Sequence, residues 1–149
     1  MDRLADAHDG WMNLLPGVPE EEAATPTASV FSALFGSAQP PVSMCTWMPE
    51  GGPGARAGRS RRTARTGGRE ETIGIMHPRG RGAAQLASSG APVPPGWTIR
   101  QDHVRRGLIV RPARGTPHDA LLSWMLAAGA ALSVAPLTGR WKARFYLPR

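Results

Sequence analysis

The stretch TPHDALLSWMLAAGAALSVAPLTGRWKARFYL, residues 116–147, reads as one helix followed by one strand. Thr116-Pro117-His118-Asp119 has the pattern of a capping box: Thr116 at the N-cap, Pro117 at the first helical position, Asp119 within reach of the cap amide. The helix is expected to run to about Ser133, and Pro136 forbids its continuation. Gly139–Leu147 then alternates. Trp141, Ala143, Phe145 and Leu147 fall on one face, and Arg140, Lys142, Arg144 and Tyr146 on the other.

Working towards the N-terminus, Gly107–Pro112 is rich in β-branched residues and closes at its proline. Trp97–His103 alternates as a second strand, and the short gap Val104–Arg106 fits a hairpin between the two. Pro94-Pro95-Gly96 marks a turn. Gly82–Ser89 predicts a short helix ended by Gly90, and Thr72–Met76 a short strand. Residues 70–149 therefore read as an α+β domain in the order β-α-β-β-α-β. This is the ferredoxin-like arrangement, two helices on one face of a four-stranded antiparallel sheet. The structural alternative is an open β-β-α-β module that completes its sheet by dimerising.

The first half has a different character. Residues 1–50 hold one arginine against seven acidic residues. They are expected to form an acidic, poorly ordered head with short helices in a largely irregular N-terminal half. Leu4, Trp11, Leu14 and Leu15 suggest one helix, stopped by Pro16-Gly17. Val30, Phe31, Leu34 and Phe35 share a face of another, from about Thr27 to Gly36. Gln39–Glu50 reads as a loop. Residues 51–69 (GGPGARAGRSRRTARTGGR) are a linker by composition, with too little apolar surface to offset backbone entropy.

Charge is the main functional clue. The formal net charge is +7, and of 18 basic residues only Lys142 is a lysine. Such a balance points to anionic partners. Arginine, alanine, glycine and proline share GC-rich codons, however, so genome composition alone raises arginine content. Two basic sets stand out. Arg56, Arg59, Arg61, Arg62, Arg65 and Arg69 form an arm suited to tracking phosphates. Arg140, Lys142, Arg144 and Tyr146, with Arg100 and Arg111 from strands read as neighbours, form a basic sheet face with one ring for base stacking. The segment Arg106–Val110 lacks the aromatic residues of the RNA-recognition RNP1 pattern, so no membership in that family follows.

Other chemistries find little support. Cys45 is alone, which excludes an internal disulfide and a cysteine-built zinc site, and a reducing, cytoplasmic setting is the default. His8, His77, His103 and His118 form no ligand pair, so no metal or cofactor is expected. His118 beside Asp119 has the elements of a general base, but no nucleophile motif attends it. Gly80-Arg81-Gly82, with Asp102 some twenty residues on, matches only the opening of a dinucleotide fingerprint. Residues 120–139 lack charge for long enough to span a bilayer. Ser123, Gly129, Ser133 and Pro136 dilute that run, and the alternating strand after it needs a sheet, so a buried helix is preferred. The sequence thus predicts a nonenzymatic nucleic-acid-binding protein of low sequence specificity, with homo-oligomerisation possible. A protein-interaction or assembly module is the alternative.

Overall fold

The computed structural model describes residues 1, 4, 10–19, 42–50 and 70–147. Six strands and two helices follow in the order β1 (Trp11–Pro16), β2 (Met44–Met48), β3 (Thr72–Met76), α1 (Gly82–Ser88), β4 (Thr98–His103), β5 (Gly107–Arg111), α2 (His118–Leu132) and β6 (Trp141–Tyr146). The strands form one sheet in the order β4-β5-β3-β2-β1-β6, and every neighbouring pair is antiparallel. Both helices and all four strands expected beyond residue 70 are present.

The α+β class stands, and the ferredoxin-like strand order does not. In that order β6 would pair with β3. Here the β1–β2 hairpin lies between them, and β6 pairs with β1 along six residues. The open alternative, with its sheet completed by a second copy, also gives way, because the chain's own N-terminal strands fill the gap. Trp11–Pro16 is a strand where the sequence suggests a helix, and Met44–Met48 a strand where it suggests a loop. Gly10 explains the first correction. Its φ of 90° ends any helix begun near Leu4, and a Cβ there would strike the Tyr146 carbonyl. Chain direction therefore changes before Trp11, and an extended segment emerges alongside β6. The expected helix over 27–36 and the linker over 51–69 lie outside the described residues.

The sheet has two unlike faces. On one, Met12 and Leu14, Cys45 and Trp47, Ile73 and Ile75, and Leu108 and Val110 are buried beneath the helices. The α2 helix lies over β2 and β1, and α1 over β4 and β5. Leu121, Trp124, Met125, Ala128 and Leu132 supply the inner stripe of α2. Its C-terminal turn is tied to the start of β2 by buried hydroxyls. Ser43 N–H donates to Ser133 Oγ at 3.0 Å, and Ser133 Oγ donates to the Gly129 carbonyl at 2.8 Å. The indole N–H groups find partners: Trp47 Nε1 donates to Glu71 at 2.8 Å and Trp124 Nε1 to the Pro92 carbonyl at 2.9 Å. This satisfies the donor that burial of a tryptophan otherwise strands.

The two helix starts differ from their sequence readings. Thr116 does not cap α2. Its hydroxyl donates to the Ala113 carbonyl at 2.6 Å and closes the preceding turn, while Asp119 accepts from the Ala120 amide. At α1 the cap comes from another strand: Asp102 on β4 accepts from the Gly82 and Ala83 amides at 2.8 and 3.2 Å. A carboxylate thus occupies the position a phosphate would take in a dinucleotide site.

Candidate nucleic-acid interface

The face of the sheet opposite the helices carries three rows of side chains, aligned by strand register. The first row reads Tyr146, Trp11, Met48, Thr72, Arg111 and Thr98. The second reads Arg144, Asn13, Thr46, Gly74, Ile109 and Gln101. The third runs through Lys142, Leu15, Met44 and Met76 to His103. Most of these residues are half-buried, and Lys142 and Arg144 are exposed. Gly74 sits near the middle, and a Cβ there would meet nothing within 4 Å, so the centre of the face is a shallow dip.

The decisive feature is at one corner. Trp11 and Tyr146 are cross-strand partners and their rings stack, with centroids 4.7 Å apart and planes 8° from parallel. Arg144 and Lys142 continue along the same side of β6. Beside them, Thr46 Oγ1 donates to Asn13 Oδ1 at 2.9 Å. Both rings are half-buried and Lys142 and Arg144 are exposed beside them, so the corner combines an aromatic pair with two accessible cations. Trp11 is a member of this aromatic corner that the sequence alone does not reveal. Its spacing suggests a helix, and only strand pairing brings it against Tyr146.

Of the residues singled out from sequence, Lys142, Arg144 and Tyr146 come together, with Arg140 exposed immediately before the strand. Arg111 and Arg100 do not join them. Arg111 lies across β1, β2 and β3 towards the far edge of the sheet, about 19 Å away at the usual interstrand spacing, and Arg100 lies one strand farther, on β4. There they surround Glu70. Arg111 forms an ion pair with it at 2.5 Å. The hydrogen bond from Arg111, aided by the charges of Arg111, Arg100 and Arg114, holds the Glu70 carboxyl below its ordinary range against a smaller desolvation effect. Arg56, Arg59, Arg61, Arg62, Arg65 and Arg69 lie outside the described residues. The two roots of that arm, Glu50 and Glu70, do not. Pairing of Met48 with Thr72 brings them together at the end of the sheet that carries the first row. A cleft of about 430 Å³ opens there, lined by Glu50, Glu70, Glu71, Arg111 and Arg114 among others.

Comparison with family models, with curated proteins and with solved structures returns no match. The geometry therefore stands by itself. Among the described residues no group of three or more His, Cys, Asp or Glu is placed to hold a metal, and no helix is long and apolar enough to cross a membrane. His8 lies outside the described residues, and the other three histidines have structural surroundings. His118 packs edge-on against Trp47 at 5.5 Å. His103 Nδ1 accepts from the Arg105 and Arg106 amides and closes the β4–β5 turn. His77 is buried against Gly82, and its basicity is lowered by desolvation, with the Arg79 backbone and Asp102 acting in the other direction. Burial pushes the Cys45 thiol up to about 12, so it is protonated and a poor nucleophile at neutral pH.

Proposed function

We propose that the protein binds nucleic acid without catalysing a reaction, and that it lays a single strand across the open face of its sheet. The observation that carries this reading is the stacked Trp11–Tyr146 pair flanked by Arg144 and Lys142. Aromatic platforms bordered by cations suit unpaired bases, whose ring faces are accessible, better than a duplex, whose bases are already stacked. The row that begins with these rings also holds, at its centre, the two strand ends from which the arginine arm departs. Arm and platform then act on one stretch of polymer. Phosphate contacts dominate such a surface, so affinity is steeply salt-dependent and weakly sequence-specific.

The test is a titration of the whole chain with single- and double-stranded DNA and RNA over a salt series. Single strands should bind more tightly. The double variant Lys142→Gln/Arg144→Gln should flatten the plot of log K against log salt by about 1.4, or about 0.7 for each phosphate no longer neutralised. Tyr146→Leu should weaken single-strand binding by about 1–3 kcal/mol, the usual worth of one base on an aromatic ring. Failure to bind any of the four polymers at low ionic strength refutes the reading.

A second reading rests on a different feature of the same face. Leu15, Met44, Met48, Met76 and Ile109 form an apolar band across its middle, and Met76 is 38 % exposed. Such a band suits a protein-interaction or assembly module. A stable oligomer insensitive to salt, without affinity for nucleic acid, would favour it.

A further inference from the structure

The two edges of the sheet are not equivalent. At the β4 edge the register shifts between Ile99 and Gln101, a bulge that blunts a strand against further pairing. The β6 edge is regular for its whole length. The Gly17 N–H donates to the Arg140 carbonyl at 2.8 Å, which fixes the phase of the ladder. The Arg140 carbonyl and the backbone groups of Lys142, Arg144 and Tyr146 turn towards β1, so Trp141, Ala143 and Phe145 turn theirs outward. On the helix side of this edge, Phe145 and Leu147 are 56 % and 68 % exposed, and Ala143 is also exposed. The helices stop short of them. Only Trp141 reaches α2, where its ring closes on Gly129.

We propose that the outer edge of β6 receives an extended segment of a partner protein in which acidic and apolar residues alternate. The added strand would take up the three outward-facing peptide groups. Its apolar side chains would continue the core over Ala143 and Phe145, and its carboxylates would lie beside Lys142 and Arg144. A second copy of this chain does not fit the edge. Two-fold antiparallel pairing of β6 with itself sets Lys142 opposite Arg144, or Arg144 opposite Arg144, and like charges directly opposed are destabilising. Charge therefore selects an acidic strand over a self-association that the exposed apolar side chains would otherwise favour. The docking site adds the outward backbone groups and the helix side of β6, which nucleic acid on the open face would not use, and it shares only Lys142 and Arg144 with that face.

The probe is a fluorescein-labelled octapeptide of alternating Glu and Val, titrated into the whole chain by anisotropy. Two controls accompany it: the Lys/Val octapeptide, and the Glu/Val octapeptide with alternate amides N-methylated along one edge. The Glu/Val peptide should bind about tenfold more tightly than either control. Hydrogen exchange at the Trp141, Ala143 and Phe145 amides should slow on its addition. Ala143→Pro removes an outward N–H that serves no bond to β1, so it should abolish peptide binding and leave single-stranded DNA binding as it was. Equal binding of the N-methylated or Lys/Val peptide overturns the proposal. So does unchanged exchange at the three amides of the unsubstituted protein, a result that does not depend on how the proline variant folds.

Discussion

Excising residues 51–69 and joining Glu50 to Glu70 tests the arm and the sheet at once. Met48 pairs with Thr72, so the shortened connection would be Pro49-Glu50-Glu70-Glu71, four residues and within the normal range for a β-hairpin. The connection falls from about 23 residues to about 4. If the excised segment contributes only chain length, loop closure becomes easier by about 1.5 kcal/mol, from (3/2)RT ln(23/4). Urea unfolding followed by tryptophan fluorescence should show that gain as a higher midpoint with an unchanged slope. Binding should move the opposite way. Six arginines leave with the arm, and the salt dependence of single-strand binding should flatten by up to about 4 in log K against log salt. Residual binding should persist on the Trp11–Tyr146 corner. A loss of stability, or a changed unfolding slope, would refute the treatment of the arm as a length of chain between two paired strand ends. An unchanged salt slope would refute its role in binding.

Three other outcomes follow from the packing. Burial lowers the basicity of His77, so the folded protein takes up this proton less readily than the unfolded chain, whose ordinary value is 6.5. Stability should therefore be level above about pH 7 and fall as pH drops through 6.5, by at most about 1.4 kcal/mol per pH unit, and His77→Leu should remove that part of the slope in chemical denaturation. Gly129→Ala places a Cβ 2.8 Å from the Trp141 ring and 2.9 Å from Cys45 Sγ. Overpacking of about 1–3 kcal/mol should outweigh the gain of about 1 kcal/mol in helix propensity, and the melting temperature should drop. Asp102→Ala leaves the first amides of α1 without their acceptor and should cost about 1–2 kcal/mol, with faster amide exchange confined at first to residues 82–88.

Much of the fold beyond residue 70 is legible because its signals are local. Alternation marks β6, a three-residue gap marks the β4–β5 hairpin, and Pro136 lies just beyond the end of α2. Strand order is not local. Nothing in Trp141–Tyr146 says whether its neighbour is β3 or β1, since either would cover the same apolar residues. The N-terminal strands are hidden for a related reason. Trp11, Leu14 and Leu15 suit a helical face as well as a strand with apolar residues on both sides, and only Gly10 favours the second. The same ambiguity conceals the aromatic corner. Tyr146 and its cations can be read along one strand, whereas its stacking partner comes from the other end of the sequence. Asp102 shows the converse: a residue set apart by its spacing from a glycine turn proves to be that turn's own helix cap.

The pairing of β1 with β6 joins residue 11 to residue 146, so among the described strands the first in the chain is completed by the sixth. During synthesis β1 and β2 leave the ribosome early and wait with one side of β1 unpaired until β6 emerges. Contacts this distant in sequence fold slowly. A chain halted before residue 141 would present a bare edge of Trp11, Asn13 and Leu15 to any strand nearby. The hairpin that moves β6 away from β3 thereby makes synthesis through β6 the condition for covering the edge of β1.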